Sequence, residues 1–91
     1  MEFKKEANRI YLENENGEMI AEVTFPSVSG TVVNINHTYV DGSLRGQGIA
    51  AKLMEEVVKE LNVSNRKAVP TCSYAVMWFD KNKQYDSLLS K

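Results

Sequence analysis

The sequence has few of the residues that build disulfide-bonded, zinc-binding or membrane-spanning proteins. Its 91 residues include one cysteine, Cys72, and one histidine, His37. A lone cysteine cannot form an intrachain disulfide, and one cysteine with one histidine cannot complete a structural zinc site. The chain also has no run of about 18 apolar residues, which a membrane-spanning helix needs, and no apolar signal segment at its start. We therefore expect a cytoplasmic protein with no metal and no membrane partner.

An excess of one charge is also missing. Eleven Lys and Arg residues are balanced by twelve Asp and Glu residues, so the net charge is −1. A protein that binds a nucleic-acid backbone usually has a basic excess, and duplex DNA or RNA is therefore not an expected partner. Apolar residues make up 43% of the chain, which is enough for one hydrophobic core. The sequence has no repeat or linker, and it predicts a single domain over residues 1–91.

The first half of the chain alternates apolar and polar residues, as β-strands do. Residues 9–13 and 19–25 predict a hairpin with a type I′ turn at Asn16 and Gly17. Residues 31–40, rich in Val, Ile, Thr and Tyr, predict a third strand. The expected register pairs apolar residues across the hairpin, Leu12 with Ala21 and Ile10 with Val23, and in the third strand it places Val33, Ile35, His37 and Tyr39 on one face.

The second half of the chain changes to the period of a helix. Residues 44–61 carry apolar residues every three or four positions and predict the main helix. Its charged face is expected to form two ion pairs, Lys52–Glu56 and Glu55–Lys59. Residues 67–71 predict a short strand, one edge of which lacks a ladder donor at Pro70, and Ser73 is the predicted N-cap of a helix over 74–80. A last turn is expected at 84–89. The fold class is α+β, in the order β-β-β-α-β-α, with the main helix packed on a mostly antiparallel sheet.

A glycine-containing segment, residues 45–50, joins the third strand to the main helix. Glycine costs about 1 kcal/mol relative to alanine inside a helix, so glycines in the first helical turn need an explanation. A backbone without Cβ lets a ligand approach closely, and the first N–H groups of a helix are unpaired and lie at its positive end. Such a junction suits a phosphate or pyrophosphate, although two glycines can also simply shape a tight loop. The P-loop pattern is absent, and the dinucleotide-binding pattern lacks its acidic residue about 20 positions on, where Arg66 and Lys67 stand.

This segment, Arg45-Gly46-Gln47-Gly48-Ile49-Ala50, resembles the acyl-CoA motif [RQ]-x-x-G-x-[GA] of the GNAT superfamily of N-acetyltransferases. The resemblance covers about residues 8–89 and implies a minimal GNAT-like fold in which a splayed strand pair holds the CoA arm. The usual N-terminal helix pair and last two strands are missing. The resemblance also implies acetyl-CoA as cosubstrate, with its pyrophosphate on this segment and its pantetheine arm along the third strand. The implied cofactor-binding residues are Thr38, Val40, Arg45, Gly46, Gln47, Gly48, Ile49 and Ala50.

The catalytic residues that the resemblance implies are only partly present. The family motif Asn-x-x-Ala-x-x-x-Tyr reads Cys72-x-x-Ala75-x-x-x-Phe79 here, so the tyrosine hydroxyl that often protonates the leaving thiolate is missing. Cys72 precedes a helix, whose N-terminus stabilises a thiolate, and it is a candidate acceptor of the acetyl group. His37 is the candidate base. The alternatives are that Cys72 is a small buried apolar residue and that His37 is a hydrogen-bonded structural residue.

The sequence therefore predicts an acetyl-CoA-dependent N-acetyltransferase that acts on an unknown amine. Two alternatives stay open: a module that binds acetyl-CoA without turnover, as a sensor or accessory subunit, and a small protein-interaction domain whose glycine segment is only a loop. Arg66 and Lys67 are candidates for contact with the CoA 3′-phosphate. The aromatic residues Tyr74, Trp78, Phe79 and Tyr85 are expected to fill the core or cover the pantetheine arm.

Overall fold

A computed structural model describes residues 2–90. These residues form seven strands and two α-helices, in the order β1 Lys4–Glu6, β2 Arg9–Glu13, β3 Met19–Thr24, β4 Ser27–Ser29, β5 Val32–Ile35, β6 His37–Val40, α1 Ile49–Ser64, β7 Lys67–Pro70 and α2 Ser73–Lys81. A 3-10 helix, Gly42–Leu44, lies between β6 and α1, and a second one, Lys83–Leu88, follows α2.

The strands form two sheets, and α1 packs on the larger of them. The larger sheet has the order β1-β2-β3-β6 and is antiparallel throughout. The smaller sheet has the order β4-β5-β7, and its β5 and β7 are parallel. Helix α1 contacts β2, β3 and β6. The predicted α+β class, with the main helix on a mostly antiparallel sheet, is confirmed. Within residues 2–90, neither helix has both the length and the apolarity to cross a lipid bilayer.

The first hairpin has the predicted register but a different turn. Leu12 pairs with Ala21 and Ile10 with Val23, as predicted. The type I′ turn is wrong, because that turn needs positive φ at both central residues, and of Asn16 and Gly17 only Gly17 has it, at 81°. The side chain of Asn14 sets the turn: its Oδ1 accepts hydrogen bonds from the N–H groups of Asn16 and Glu18. A bulge between Leu12 and Glu13 shifts the register next to this turn, so that Glu13 pairs with Met19.

The predicted third strand is divided into β5 and β6 at Asn36. The Asn36 N–H donates to the carbonyl oxygen of Thr24 at 3.3 Å, and Thr24 also pairs with His37. Asn36 and His37 therefore both lie opposite Thr24, and this arrangement is a β-bulge. The extra residue reverses the alternation of side chains between β5 and β6. Val33 and Ile35 are buried whereas His37 and Tyr39 are exposed, so the prediction that all four share a face is wrong.

Helix α1 begins at Ile49, five residues later than predicted. Gly46 and Gly48 have φ of 79° and 68°, and this left-handed backbone keeps the preceding residues out of the helix. The apolar face that the sequence predicted is buried, with the core side chains Ile49, Leu53, Met54, Val57, Val58 and Leu61. The expected ion pairs do not form. Glu56 instead pairs with Lys59 at 3.1 Å and with Lys5 of β1 at 2.9 Å, and Lys5 holds the pKa of Glu56 below its usual value.

Strand β7 and the residues after it form the remaining layer. Strand β7 is the terminal strand of its sheet, and the Ser90 N–H donates to the Ala68 carbonyl at 2.8 Å, which holds Ser90 against β7. Trp78 is buried and stacks on Tyr85 at a centroid distance of 5.3 Å. The N-cap of α2 is Cys72 rather than the predicted Ser73.

Candidate functional site

A gap opens between β6 and β7 just after Ile35. The N–H groups of Thr71 and Cys72 both donate to the Ile35 carbonyl oxygen, at 3.0 and 3.2 Å, and this is the end of the parallel pairing of β5 with β7. Beyond this point β6 pairs with β3, whereas the chain after β7 turns into α2. Strands β6 and β7 are the terminal strands of their respective sheets. They form the splayed strand pair that the resemblance implied.

The open edge of β6 presents backbone groups to this gap. The Asp41 N–H donates to the Ile20 carbonyl at 2.8 Å, so in the β3–β6 ladder the odd-numbered residues of β6 bond to β3. Thr38 and Val40 therefore direct their N–H and C=O groups away from β3, into the gap. An extended ligand that contains amide groups can pair with such an edge, as a strand does.

The glycine segment lies at the end of the same strand, before α1. A Cβ placed on Gly46 or Gly48 would meet no atom within 4 Å, so the space in front of this backbone is open. The Lys52 N–H makes the first helical bond, to the Gly48 carbonyl at 3.1 Å. Within the described residues no acceptor is found for the N–H groups of Gly46, Gly48, Ile49, Ala50 and Ala51. These donors lie at the positive end of a 16-residue helix, where a phosphate is stabilised.

Asp41 fixes the chain just before the glycine segment. Its Oδ2 accepts hydrogen bonds from the Ser43 hydroxyl at 2.6 Å and from the Ser43 N–H at 2.9 Å, and its Oδ1 accepts one from the Tyr39 hydroxyl at 3.2 Å. The Ser43 hydroxyl, followed by the Ser43 N–H, lowers the pKa of Asp41. Sequence reasoning missed this anchor. The signal was an aspartate two residues before a serine, a pattern typical of a side chain that caps its own turn.

The basic residues near the glycine segment differ from those that the sequence suggested. Arg45 and Lys52 are exposed, and neither has an ion-pair partner in the part of the chain that the structure describes. Arg66 and Lys67 lie beyond the C-terminal end of α1, whose 16 residues span about 24 Å. The structure therefore keeps them away from the segment whose ligand they were expected to contact. Lys52 was overlooked because its spacing predicted a pair with Glu56.

The Cys72 thiol lies at the base of the gap. Its Sγ accepts a hydrogen bond from the Ala75 N–H at 3.4 Å, as the N-cap of α2, and is 3.3 Å from the Thr38 hydroxyl oxygen. Cys72 is half-buried and is the free cysteine of the described chain. The contact joins the two diverging strands through one pair of side chains, and it brings together two of the predicted site residues. A thiol beside a hydroxyl and a helix N-terminus can act as a nucleophile.

The structure does not bring His37 to Cys72. Neighbouring residues of a strand point to opposite faces, and because Thr38 faces Cys72, His37 faces the other way. Its Nε2 lies 3.6 Å from Oε1 of Glu22, which also pairs with Arg9, and 53% of the His37 side chain is exposed. Within residues 2–90, the hydrogen-bond partners of the Cys72 sulfur are Thr38 and Ala75.

Two residues of α2, Tyr74 and Phe79, bear on proton transfer to or from Cys72. Phe79, which replaces the tyrosine of the family motif, is buried in the core at 3% exposure. Tyr74 follows Cys72 by two residues, and burial raises its pKa, so its hydroxyl stays protonated at neutral pH. Among the described residues, no group of three or more His, Cys, Asp and Glu side chains could hold a metal ion.

A groove is lined by residues of β7, of α2 and of the segment that follows α2. Its volume is about 620 Å³. Pro70 and Ser73 are among its lining residues, and they flank Thr71 and Cys72 in the sequence. Sequence reasoning missed it, although its lining residues lie close together in the chain, between Pro70 and Leu89.

Comparison with known proteins places this geometry in a family. The model of the GCN5-related N-acetyl-transferase family matches residues 9–88. None of the curated proteins compared with the chain matched it. Among solved structures, a GCN5-like protein from Staphylococcus aureus, assigned as an N-acetyltransferase and determined by NMR, has 31% identity and a TM-score of 0.81. That match covers 98% of this chain and 87% of the other.

Larger solved structures share the fold. A GNAT family N-acetyltransferase from Escherichia coli, determined in complex with CoA, is 27% identical, with a TM-score of 0.63 over 76% of this chain and 42% of that one. GCN5 from Tetrahymena is 13% identical, with a TM-score of 0.66 over 80% of this chain and 48% of that one. The chain thus spans about half the length of these two proteins or less. The motif at residues 45–50, the strands that part after Ile35 and the match over residues 9–88 agree, and this chain belongs to the GCN5-related N-acetyltransferase (GNAT) family.

Proposed function

We propose that the protein is an acetyl-CoA-dependent N-acetyltransferase that carries the acetyl group on Cys72 before an amine takes it. The observation that supports this most is the contact of the Cys72 sulfur with the Thr38 hydroxyl, at 3.3 Å, at the base of the gap between β6 and β7. The thiol lies where the open edge of β6 would lead the acyl end of a pantetheine arm. The proposal includes a cytoplasmic location, for which the single free thiol is the support.

The residues of the chain fit acetyl-CoA in three places. The unpaired N–H groups from Gly46 to Ala51 suit the pyrophosphate, and the open space at Gly46 and Gly48 lets it approach. The outward N–H and C=O groups of Thr38 and Val40 suit the amides of pantetheine. The exposed cations of Arg45 and Lys52 lie next to the glycine segment and suit the phosphate charges. Gln47, Ile49 and Ala50 complete the proposed binding segment.

The proposed reaction has two steps, and protons balance in each. In the first, the Cys72 sulfur attacks the thioester carbonyl, the acetyl–sulfur bond of acetyl-CoA breaks, and the proton of Cys72 passes through the Thr38 hydroxyl to the departing CoA thiolate. In the second, a neutral amine attacks the acetyl-Cys72 thioester, and Cys72 regains its proton from the attacking nitrogen. An unpaired β6 N–H group would donate to the carbonyl oxygen as its charge grows.

Two residues have defined roles to test in this proposal. His37 is proposed as the base that takes the proton from the attacking nitrogen and returns it, through water, to the Cys72 sulfur; it is exposed to solvent and 3.6 Å from Glu22. Tyr74 is the closest tyrosine in sequence to the thiol, and its protonated hydroxyl makes it a second proton donor to test. His37→Gln and Tyr74→Phe are the variants that report on each.

Incubation of the protein with acetyl-CoA, followed by intact-mass analysis, tests the proposal. We expect a mass gain of one acetyl group, lost in Cys72→Ala, and discharge of that group when an amine is added. NMR shifts on titration with CoA should centre on residues 45–50 and on β6, and they should persist in Cys72→Ala. Amine acetylation at an unchanged rate in Cys72→Ala would contradict the acyl-cysteine route. It would instead support direct transfer of the acetyl group from acetyl-CoA to the amine.

A second candidate function is a module that binds acetyl-CoA without turnover. Two observations favour it: Phe79 has no hydroxyl and is buried, and the chain spans only 42% of the E. coli enzyme to which it is similar. The same experiment distinguishes the two functions. Binding of CoA with neither a mass gain nor an acetylated amine would support the module.

A further inference from the structure

The side chain of Asn34 links β5 to the residues that connect β7 to α2. Asn34 lies between Val33 and Ile35, which are both buried, so its side chain points to the opposite, outward face of the smaller sheet. Its Nδ2 donates to the Val69 carbonyl oxygen at 2.9 Å and to the Thr71 hydroxyl oxygen at 2.7 Å. Because a carbonyl oxygen only accepts hydrogen bonds, the amide must present its NH₂ group to both partners.

The side chains of Thr71 and Cys72 point in opposite directions. The backbone of Cys72 is extended, with φ of −73° and ψ of 145°, and neighbouring side chains of an extended chain alternate between two faces. Asn34 holds the Thr71 hydroxyl on the outward face, and the Cys72 sulfur is then turned inward, 3.3 Å from the Thr38 hydroxyl oxygen. The N–H groups of Thr71 and Cys72 share one acceptor, the Ile35 carbonyl. Two bonds to a single atom form a pivot, and the Asn34 bonds restrict rotation about it.

We propose that Asn34 is a positioning residue for the Cys72 thiol and acts on it through Thr71. The proposal rests on the function proposed above, in which the Cys72 proton passes through the Thr38 hydroxyl. In the part of the chain that the structure describes, Asn34 makes no hydrogen bond to Cys72 itself. A misplacement of about 1 Å can lower a reaction rate about 100-fold, and a sulfur that turned away from Thr38 would lose its 3.3 Å contact.

Two variants and their combination test this role. Asn34→Leu removes both bonds with a side chain of similar size, and Thr71→Val removes the hydroxyl that receives one of them. Intact-mass analysis at saturating acetyl-CoA gives the rate constant for acetylation of Cys72. We expect each variant to lower it by about tenfold. The double variant should lose about the same tenfold, because both changes break one connection. Calorimetric titration should give an unchanged Kd for CoA, since neither residue belongs to the proposed cofactor-binding segment.

A matched control separates positioning from stability. Asn82 Nδ2 donates to the Trp78 carbonyl oxygen at 2.8 Å, which is the same kind of bond at the other end of α2. Asn82→Leu removes this bond and should leave the acetylation rate unchanged. The positioning role would be overturned by an unchanged rate in Asn34→Leu, by an equal loss in Asn82→Leu, by losses that multiply in the double variant, or by a rise in Kd that accounts for the loss.

A second measurement does not depend on acetylation. In NMR spectra of the unmodified protein, we expect nuclear Overhauser contacts between the β protons of Cys72 and the side-chain protons of Thr38. These contacts should disappear in Asn34→Leu and Thr71→Val and persist in Asn82→Leu; their persistence in all three would overturn the proposal. If the unmodified protein is not acetylated, the proposed function fails, and this measurement still decides the role of Asn34. If Asn34→Leu does not fold, Thr71→Val provides both readouts.

Discussion

The glycine segment provides a test that separates backbone strain from ligand contact. Gly48 has φ of 68°, and a Cβ there would touch no protein atom within 4 Å. Gly17, in the first hairpin turn, has φ of 81° and equally open space, but it lies in a different part of the chain. Alanine at either position therefore meets the same backbone penalty. Only at position 48 would its methyl group enter the space that we assign to the pyrophosphate.

The expected loss of stability is the difference between two opposing terms. A left-handed backbone costs a non-glycine residue about 1–2 kcal/mol. Replacing glycine by alanine returns about 0.4–1 kcal/mol, because the unfolded chain has fewer conformations to lose. Gly48→Ala and Gly17→Ala should thus each lower the free energy of unfolding by up to about 1.6 kcal/mol, and in a domain of this size each kcal/mol lowers Tm by about 4–8 °C.

The two variants should differ in their affinity for CoA. For Gly48→Ala we expect Kd for CoA to rise by about tenfold or more, which corresponds to about 1.4 kcal/mol, and for Gly17→Ala we expect no change. Urea denaturation gives the stabilities, and calorimetric titration gives the affinities. If Gly48→Ala bound CoA as the unmodified protein does, or if Gly17→Ala weakened binding as much, the assignment of this segment to the pyrophosphate would be refuted.

Three further predictions concern the core, an ion pair and the Asp41 anchor. Leu53 is fully buried, and Leu53→Ala should lower the free energy of unfolding by about 2–5 kcal/mol in urea denaturation; a loss near zero would contradict the packing of α1. Glu56→Gln should cost about 0.2–1 kcal/mol at low salt, and Glu55→Gln, the matched control, should cost nothing measurable. Since Lys5 lowers the pKa of Glu56, this contribution is present above the usual glutamate pKa of 4.5 and is lost as pH falls through the lowered value. The Asp41 carboxyl should titrate below 3.8 by carbon NMR and closer to 3.8 in Ser43→Ala; an equal pKa in both proteins would mean that Ser43 does not anchor the turn.

The sequence was most informative where one local rule decided the structure. The period of α1 and the apolar register of the first hairpin follow from side-chain burial alone, and both were predicted correctly. The short strands β1 and β4 were not predicted, because all of their residues are exposed and no apolar alternation marks them. Tertiary pairing with β2 and β5 stabilises these two strands, and single-sequence patterns do not contain that information.

The candidate site was predictable in its motif but not in its side-chain contacts. The motif at residues 45–50 indicated the glycine segment, and the conformations of its glycines support that interpretation. The partner of Cys72 was not predictable, because the bulge at Asn36 determines which side chain of β6 faces the gap. Sequence reasoning named His37 as that partner, since it assumed one continuous strand, and the bulge places Thr38 there.

The bulge has a consequence for how this gap can be gained or lost. Without Asn36, the segment of β5 and β6 would have no surplus residue, and a continuous strand could extend its pairing with β7 beyond Ile35. The backbone groups at the start of β6 that now face the gap would then have less open space in front of them. The opening thus begins at one inserted residue. We expect a chain shortened by this single asparagine to keep every side chain proposed for the site and to bind CoA more weakly.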